Sequence, residues 1–407
     1  MIKVIHIQIS TIAAAGVALR LNNALSESNI DSSFLALHPS VNDSEKIIHL
    51  GKIPKIISML DRMLRSFILR NSNKQFGLFS YPILGTNVSR IKQVKEADII
   101  YLHWIQGGFL NLKNIYQLAK LKKPIIFFMH DMWTITGGCH HSFSCEKYKS
   151  RCNDCQIFSK HKKNDWSAME FDRKLKLYNK FDNIYLLSPS KWLRDCASQS
   201  QLTINKPIFY IPNSVDNKIF KPFDKNIAKQ ILNLNVNDTV IAFGAVSIGS
   251  PYKGWAYLQR ALEILKYDDD LNKISVLIFG DDYSKQVADE IPFNTKFMGY
   301  LRDGYSLSLV YNAADVFVAP SLADNLPTTL LESLSCGTPV VGFDVGGIPD
   351  MIKHKENGYL AKYRDAEDLA NGIKFCLKNN IKGQLLPDFE MSNIIEKHLE
   401  LINSIKS

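Results

Sequence analysis

No apolar stretch in the 407-residue chain approaches the roughly 18 residues that span a bilayer, so a membrane-crossing helix is excluded. There is no repeat of fixed period, no collagen-like glycine spacing and no low-complexity tract, which excludes solenoids and fibres. Hydrophobic residues at 46% and charged residues at 22% exclude disorder. Cysteine is scarce outside one place: of seven, four crowd between Cys139 and Cys155. An odd number in so large a chain argues against a disulfide framework and for a reducing compartment. The start, MIKVIHIQISTIAAAGVALRL, is expected to be a buried strand followed by a turn and a helix rather than a signal peptide, because His6, Gln8 and Ser10 interrupt its apolar run and only Lys3 precedes it. A cytoplasmic chain is expected. Acidic residues are sparse in the first half: residues 1–215 hold 15 against 29 basic ones, and the remainder holds 25 against 20. Such a division suggests two domains with different partners, the basic one suited to nucleic acid, anionic lipid or phosphorylated substrates.

What is present is a long alternation of short β-rich runs with helical stretches. Strands are expected at Ile2–Ile9, Ser33–Leu37, Asp98–His103, Pro124–Met129, Ile184–Leu187 and Pro207–Ile211. A second series follows at Thr239–Gly244, Ile274–Gly280, Lys296–Met298, Asp315–Ala319 and Pro339–Phe343. Near-continuous Ile, Val, Leu and Phe is how strands buried on both faces of a parallel sheet read. Helical patterns at Val17–Ser26, Asn111–Leu121, Trp255–Lys266 and Thr329–Ser335 lie between them, so the fold class is α/β, doubly wound. The boundary is expected near Pro212, in IPNSVDNKIFKPFD, where turn formers gather and the charge balance changes sign. That gives a first Rossmann-like domain over 1–212, with a Cys-rich loop at 137–157, and a second over 213–387. An amphipathic helix in 388–407 is expected to complete the first. Two such sheets facing across a cleft would form one deep ligand site.

The segment Ala319–Asp350, APSLADNLPTTLLESLSCGTPVVGFDVGGIPD, ends a strand, presents Asp324 and Asn325 in a loop and opens a helix near Pro327. A helix N-terminus with Pro in its first turn suits a phosphate or a sugar hydroxyl. Asp324 and Glu332, eight positions apart, can hold two parts of an elongated polar ligand. Equally, Asp324 can be a helix cap and Glu332 an exposed helix residue. Four cysteines, Cys139, Cys145, Cys152 and Cys155, end in C-x-x-C and can supply a thiolate set for structural zinc, with His140 and His141 nearby. Reduced packed cysteines, or one disulfide, are the alternatives. In Lys52–Lys74, Ile53, Ile56, Leu60, Met63, Leu64 and Phe67 share one helical face, opposite Lys55, Arg62 and Arg70. This pattern suits an anionic membrane surface; the reading preferred is an ordinary helix packing that face on its own domain. Asp268–Asp270 reads as a solvated turn rather than a metal motif, and His6 as core.

The Asp324 segment resembles the signature of the family 4 retaining glycosyltransferases of the GT-B fold: Glu-x7-Glu, then a Cys-Gly-x-Pro-Val-Val run. FGAVSIGSPYKG (Phe243–Gly254) resembles that family's diphosphate-binding Lys-Gly loop, IPNSVD (Ile211–Asp216) its interdomain IPNGVD, and Gly299–Ser321 its Tyr-x-x-Ala-Asp-x4-Pro-Ser stretch. MHDMWTITGGC (Met129–Cys139) resembles a His-Asp-x-Trp block of the bacterial capsule and exopolysaccharide branch, colanic-acid type. The resemblance implies that Lys253 neutralises the donor diphosphate, with Gly254 beside it. It implies that Glu332 bonds the ribose and that Asp324 touches the transferred sugar. Backbone N–H groups of Asn325 and Leu326 would approach sugar and phosphate, His130 would lie near the reacting sugar, and Gly16 would face the diphosphate. Departures are Asp324 in place of Glu, Pro327 where Gly is common, Ala13–Gly16 poorer in glycine than usual, and no Arg before Lys253–Gly254, where Ser247, Ile248 and Gly249 stand.

The implied activity is metal-independent transfer from a UDP- or GDP-sugar to a glycan, with no cofactor required for catalysis. The implied acceptor is linked to undecaprenyl diphosphate, in O-antigen, capsule or exopolysaccharide assembly, at the cytoplasmic face of the inner membrane through a peripheral contact. Nucleic acid is not an expected partner. The rivals are a basic nucleic-acid-binding protein with a zinc module, a GT-B nucleotide-sugar epimerase and a phosphorylase.

Overall fold

Strands form where the chain is apolar on both faces. The computed structural model describes residues 1–11, 16–39, 47–158, 163–247, 249–268, 271, 273–281 and 291–406. Ala13–Ala15, Ile248, Asp269 and Asp270 lie outside them. Two compact units are present: Met1–Ser214 with Ser392–Ser407, and Val215–Met391.

The first unit holds seven strands: β1 (Lys3–Ser10), β2 (Asp31–His38), β3 (Ile47–His49), β4 (Ile99–Leu102), β5 (Ile125–Phe128), β6 (Ile184–Ser188) and β7 (Ile208–Tyr210). Their order is β3-β2-β1-β4-β5-β6-β7 and every pairing is parallel. The second holds β8 (Thr239–Ser247), β9 (Ile274–Asp281), β10 (Asn294–Phe297), β11 (Val316–Ala319), β12 (Val340–Phe343) and β13 (Gly358–Ala361), ordered β10-β9-β8-β11-β12-β13, again parallel. Both are doubly wound Rossmann-like sheets. Strand order reverses between β1 and β4 and between β8 and β11, where open α/β sheets bind ligands at strand carboxyl ends.

The central strands β4, β5, β11 and β12 are buried at every position, as continuous apolar runs require. In the second unit one core cluster includes Leu330, Leu331 and Leu334 of the Thr328–Ser335 helix, and another includes Leu258, Leu262 and Leu265 of the Trp255–Leu265 helix. The Met391–Lys406 helix buries Ile394, Leu401 and Ile402, and its His398 Nδ1 lies 3.2 Å from the Tyr101 hydroxyl beneath the first sheet.

Two expectations are corrected. The Lys52–Ile68 helix does not pack its apolar face inward; its buried residues are Ser58 and Asp61. Strands β3 and β13, absent from the sequence expectation, extend the edges of the two sheets. Asp268 pairs with Lys374.

Candidate active site

In the second unit, β8 is followed by a Pro251–Lys253 turn and then Gly254, at φ 72°, which caps the Trp255–Leu265 helix. A Cβ on Gly254 would stand 1.8 Å from the Pro320 carbonyl oxygen, so only glycine fits both the left-handed backbone and the space. This close approach presses the turn against the end of β11. The Leu322 N–H donates to the Tyr252 carbonyl at 2.7 Å. Lys253 Nζ thereby reaches Asp324 Oδ2 at 2.7 Å, and Ser321 Oγ donates to the same oxygen at 3.3 Å. Burial lowers the Lys253 pKa, but the charge and hydrogen bond of Asp324 more than offset it and hold the ammonium above the usual lysine range. A fixed cation thus stands at the reversal point of the second sheet.

The loop runs on through Asn325 and Leu326, both buried, into the Thr328–Ser335 helix. Pro327 is the N-cap and supplies no side-chain cap, so the cap alternative for Asp324 does not hold: its carboxylate is turned to Lys253. Glu332 is not an exposed helix residue either. It is 6% exposed, and Tyr311 donates its hydroxyl to Glu332 Oε2 at 3.1 Å. Sequence reading gave Tyr311 no role, although it opens the Tyr-x-x-Ala-Asp stretch. The Asp315 of that stretch is structural: it accepts from Lys225 Nζ at 2.7 Å, Lys229 Nζ at 3.0 Å and the Val240 N–H at 2.8 Å, tying β11 to β8. Gly347, also missed, donates its N–H to the Asp324 carbonyl at 3.3 Å.

In the first unit, Gly16 opens the Gly16–Glu27 helix after β1. A Cβ there would meet only the Arg20 side chain at 3.4 Å, so the protein's own packing makes no demand for glycine. His130 follows β5 and ends a chain of imidazoles across neighbouring strands. His6 Nδ1 lies 2.9 Å from His103 Nε2, and His103 Nδ1 lies 3.0 Å from His130 Nε2. Sequence reading placed His6 in the core, where it is, but did not join it to His103 and His130. Burial is the main cause that lowers all three: His6 to about 3, His130 to about 4, and His103 well below its ordinary value. Each ring is therefore neutral near pH 7 and carries one proton. His6 Nε2 is buried without a hydrogen-bond partner. Since an orphaned N–H is rarer than an orphaned acceptor, the proton belongs on His6 Nδ1. His6 then donates to His103, His103 donates to His130 Nε2, and His130 keeps its proton on Nδ1.

The rest of the His130 block is scaffold. Asp131 accepts from the Trp133 N–H at 2.8 Å and Trp104 Nε1 at 3.2 Å, and pairs with His140 Nδ1 at 2.6 Å. The buried Lys174 ammonium lies 3.5 Å from the Trp133 ring centroid and donates to the carbonyls of Trp133 and Thr136. Cys139, Cys145, Cys152 and Cys155 are free thiols. Burial is the main cause that raises Cys139 well above its usual value, Cys152 to about 12 and Cys155 to about 11. The Gly137 N–H donates to Cys152 Sγ at 3.2 Å. Among the described residues no group of three or more His, Cys, Asp or Glu side chains is placed to hold a metal ion. Cys139 and Cys155 pack beside Phe79, Tyr81, Ile157 and Phe158.

Two parallel Rossmann-like sheets in two units are the architecture of the GT-B fold. The family profile described as "Glycosyl transferases group 1" matches residues 237–379. An uncharacterized glycosyltransferase of Methanocaldococcus jannaschii, MJ1607, is 30% identical over 342 residues, 77% of this chain and 84% of that protein. The putative colanic acid biosynthesis glycosyl transferase WcaC of Escherichia coli K12 is 22% identical over 404 residues, 94% of this chain and 93% of WcaC. A match to an uncharacterized glycosyltransferase of Haemophilus influenzae, 25% identical, spans only 48% of that protein. Among solved structures, Anabaena HepE in complex with UDP and glucose has a TM-score of 0.63 at 16% identity, covering 99% of this chain and all of that one. The chain belongs to the glycosyltransferases, and its fold is GT-B.

Proposed function

We propose that the chain is a retaining, family 4 glycosyltransferase that moves a sugar from a nucleotide diphosphate sugar to a growing glycan of a bacterial surface polysaccharide. The observation that carries the reading is the Lys253–Asp324 pair, 2.7 Å apart at the reversal point of the second sheet. Support comes from HepE, solved in complex with UDP-glucose, and from WcaC, named for colanic acid biosynthesis. O-antigen and capsule assembly are settings of the same kind. With the family shown, the nucleic-acid-binding, epimerase and phosphorylase readings have no observation in their favour.

On this reading the donor's glycosyl–phosphate bond breaks and a bond from the acceptor oxygen to the same carbon forms on the same face. The acceptor proton passes to the departing phosphate, and a nucleoside diphosphate leaves. Lys253 exchanges its Asp324 contact for the diphosphate, and with the N–H groups of Asn325, Leu326 and the helix start it stabilises the leaving charge. Gly254 keeps the turn close, Gly16 leaves the first unit's helix start open to the diphosphate, and Glu332, oriented by Tyr311, bonds the ribose. Asp324, released from Lys253, turns to a sugar hydroxyl, and His130 acts near the reacting sugar. No metal is required on this reading, and the acceptor is a glycan on undecaprenyl diphosphate at the cytoplasmic membrane face.

Thermal unfolding against a panel of nucleoside diphosphates and their UDP- and GDP-sugars, without added metal, tests it. A ligand at a hundredfold its Kd adds about 2.7 kcal/mol, a clear rise in Tm. A rise with one base names the donor class; no rise with any at millimolar concentration overturns the reading.

A further inference from the structure

The Lys52–Ile68 helix is built inside out. Its buried stripe is polar: Ser58 and Asp61 are fully buried. Ser58 Oγ donates to the Gly107 carbonyl at 2.7 Å. Asp61 Oδ1 accepts from the N–H groups of Ile83 and Leu84, both at 2.8 Å, and Oδ2 pairs with Arg65 Nε at 2.9 Å. A Cβ on Gly108, at φ +80°, would stand 2.8 Å from Ser58 Cα, so the helix rests directly on the backbone of the loop after β4. These bonds hold the helix by its polar side and turn the apolar side out.

That outer side is concentrated. Of the eighteen large apolar side chains exposed among the described residues, seven lie on this one helix, at 43–78%; Ile53 is 72%, Met63 62% and Phe67 78% exposed. Its exposed charges are all positive: Lys52, Lys55 and Arg62, with Arg70 just beyond, while its single acid, Asp61, is buried. At 100° per residue Lys55 and Arg62 lie along one edge of the apolar stripe. Burial, then the charges of Arg62 and Lys55, lower the pKa of His38 at the end of β2, which places this basic edge at the carboxyl end of the sheet. The loop under the helix also follows β4, whose end carries His103 and, through it, His130.

We propose that this face docks the first unit on an anionic lipid bilayer, the apolar stripe entering the headgroup boundary and the basic edge meeting lipid phosphates. A single helix with a wide apolar face edged by Lys and Arg lies in the membrane plane. No helix among the described residues is long and apolar enough to cross one, so surface docking is the mode open to it. A second copy of the chain is the weaker occupant. An antiparallel two-fold contact through this stripe would bring its basic edges together, with no exposed acid on the helix to pair them. The inference rests on exposure and charge, not on the transfer reaction or on a lipid-linked acceptor.

Flotation of the full chain with phosphatidylcholine vesicles, with and without phosphatidylglycerol, tests it. Binding is expected with phosphatidylglycerol, and it weakens as salt rises. Lys55→Glu with Arg62→Glu should weaken it by about fivefold or more per side chain. Met63→Ser with Phe67→Ser should weaken it by at least about tenfold, with Tm unchanged because both side chains already face solvent. No binding to anionic vesicles, or undiminished binding by the Met63/Phe67 variant, overturns the proposal. A dimer in sedimentation velocity that this variant dissolves also overturns it and makes a second copy the occupant.

Discussion

Lys253→Ala separates what this side chain does for the fold from what it does for the reaction. In the fold it is half of an ion pair whose side chains are 24% and 15% exposed. Removing it leaves the Asp324 carboxylate with the Ser321 hydroxyl at 3.3 Å. A fully buried orphan would cost several kcal/mol, but solvent reaches this one, so the loss is about 1 kcal/mol. For a unit of this size that is a fall of about 2–4 °C in Tm. In the reaction Lys253 faces a diphosphate whose charge grows as the glycosyl bond breaks. Loss of one fixed donor to such a charge costs about 2–4 kcal/mol, or roughly 30- to 1000-fold in kcat. The catalytic loss therefore exceeds the structural one. The assay is nucleoside diphosphate release at saturating donor, paired with a melting curve of the same variant. Lowered Tm with unchanged kcat would refute the reasoning and make the pair a structural contact.

Gly254→Ala, with its Cβ 1.8 Å from the Pro320 carbonyl, should destabilise the second unit by more than about 2 kcal/mol in urea titration and draw Lys253 away from Asp324. Tyr311→Phe removes the bond that orients Glu332; nucleotide affinity by calorimetry should fall about fivefold, and Glu332→Ala should cost more. Melting temperature should fall with acidification. His6, His130 and His398 titrate near 3 to 4 in the fold and near 6.5 unfolded, so their stabilisation is complete above about pH 6.5. It is lost as pH drops towards 4, at about 1.4 kcal/mol per unit for each histidine, and His6→Phe should flatten the slope.

The central strands were legible because burial on both faces leaves a continuous apolar run. β3 and β13 were not, since an edge strand of three or four residues has a neighbour on one side only and mixes Gly or His with its apolar positions. Lys253, Asp324 and Glu332 stood out by spacing, but Tyr311 did not, because its partner comes from the next helix. The Lys52–Ile68 helix shows the limit of periodicity most clearly. The pattern fixes which residues share a face, but not which face is inside. That is decided by the N–H groups of Ile83 and Leu84 and the carbonyl of Gly107, which only the fold brings to Asp61 and Ser58. The histidine chain was hidden for the same reason: strands β1, β4 and β5 are adjacent in the sheet but far apart in the sequence.

The helix that carries His398 returns to the first sheet only after the whole second unit has been threaded through the chain. Tyr101 and His398 are 297 positions apart, and the ring of Phe128 lies 6.2 Å from the same imidazole. During synthesis the second unit, continuous from Val215 to Met391, emerges before the helix that covers Tyr101 and Phe128 of the first. The upstream sheet must therefore wait with Tyr101 and Phe128 uncovered while 177 downstream residues emerge, a period of about 10–35 s at bacterial elongation rates. The interval is one in which a chaperone, or early docking of the exposed Lys52–Ile68 helix, would matter most.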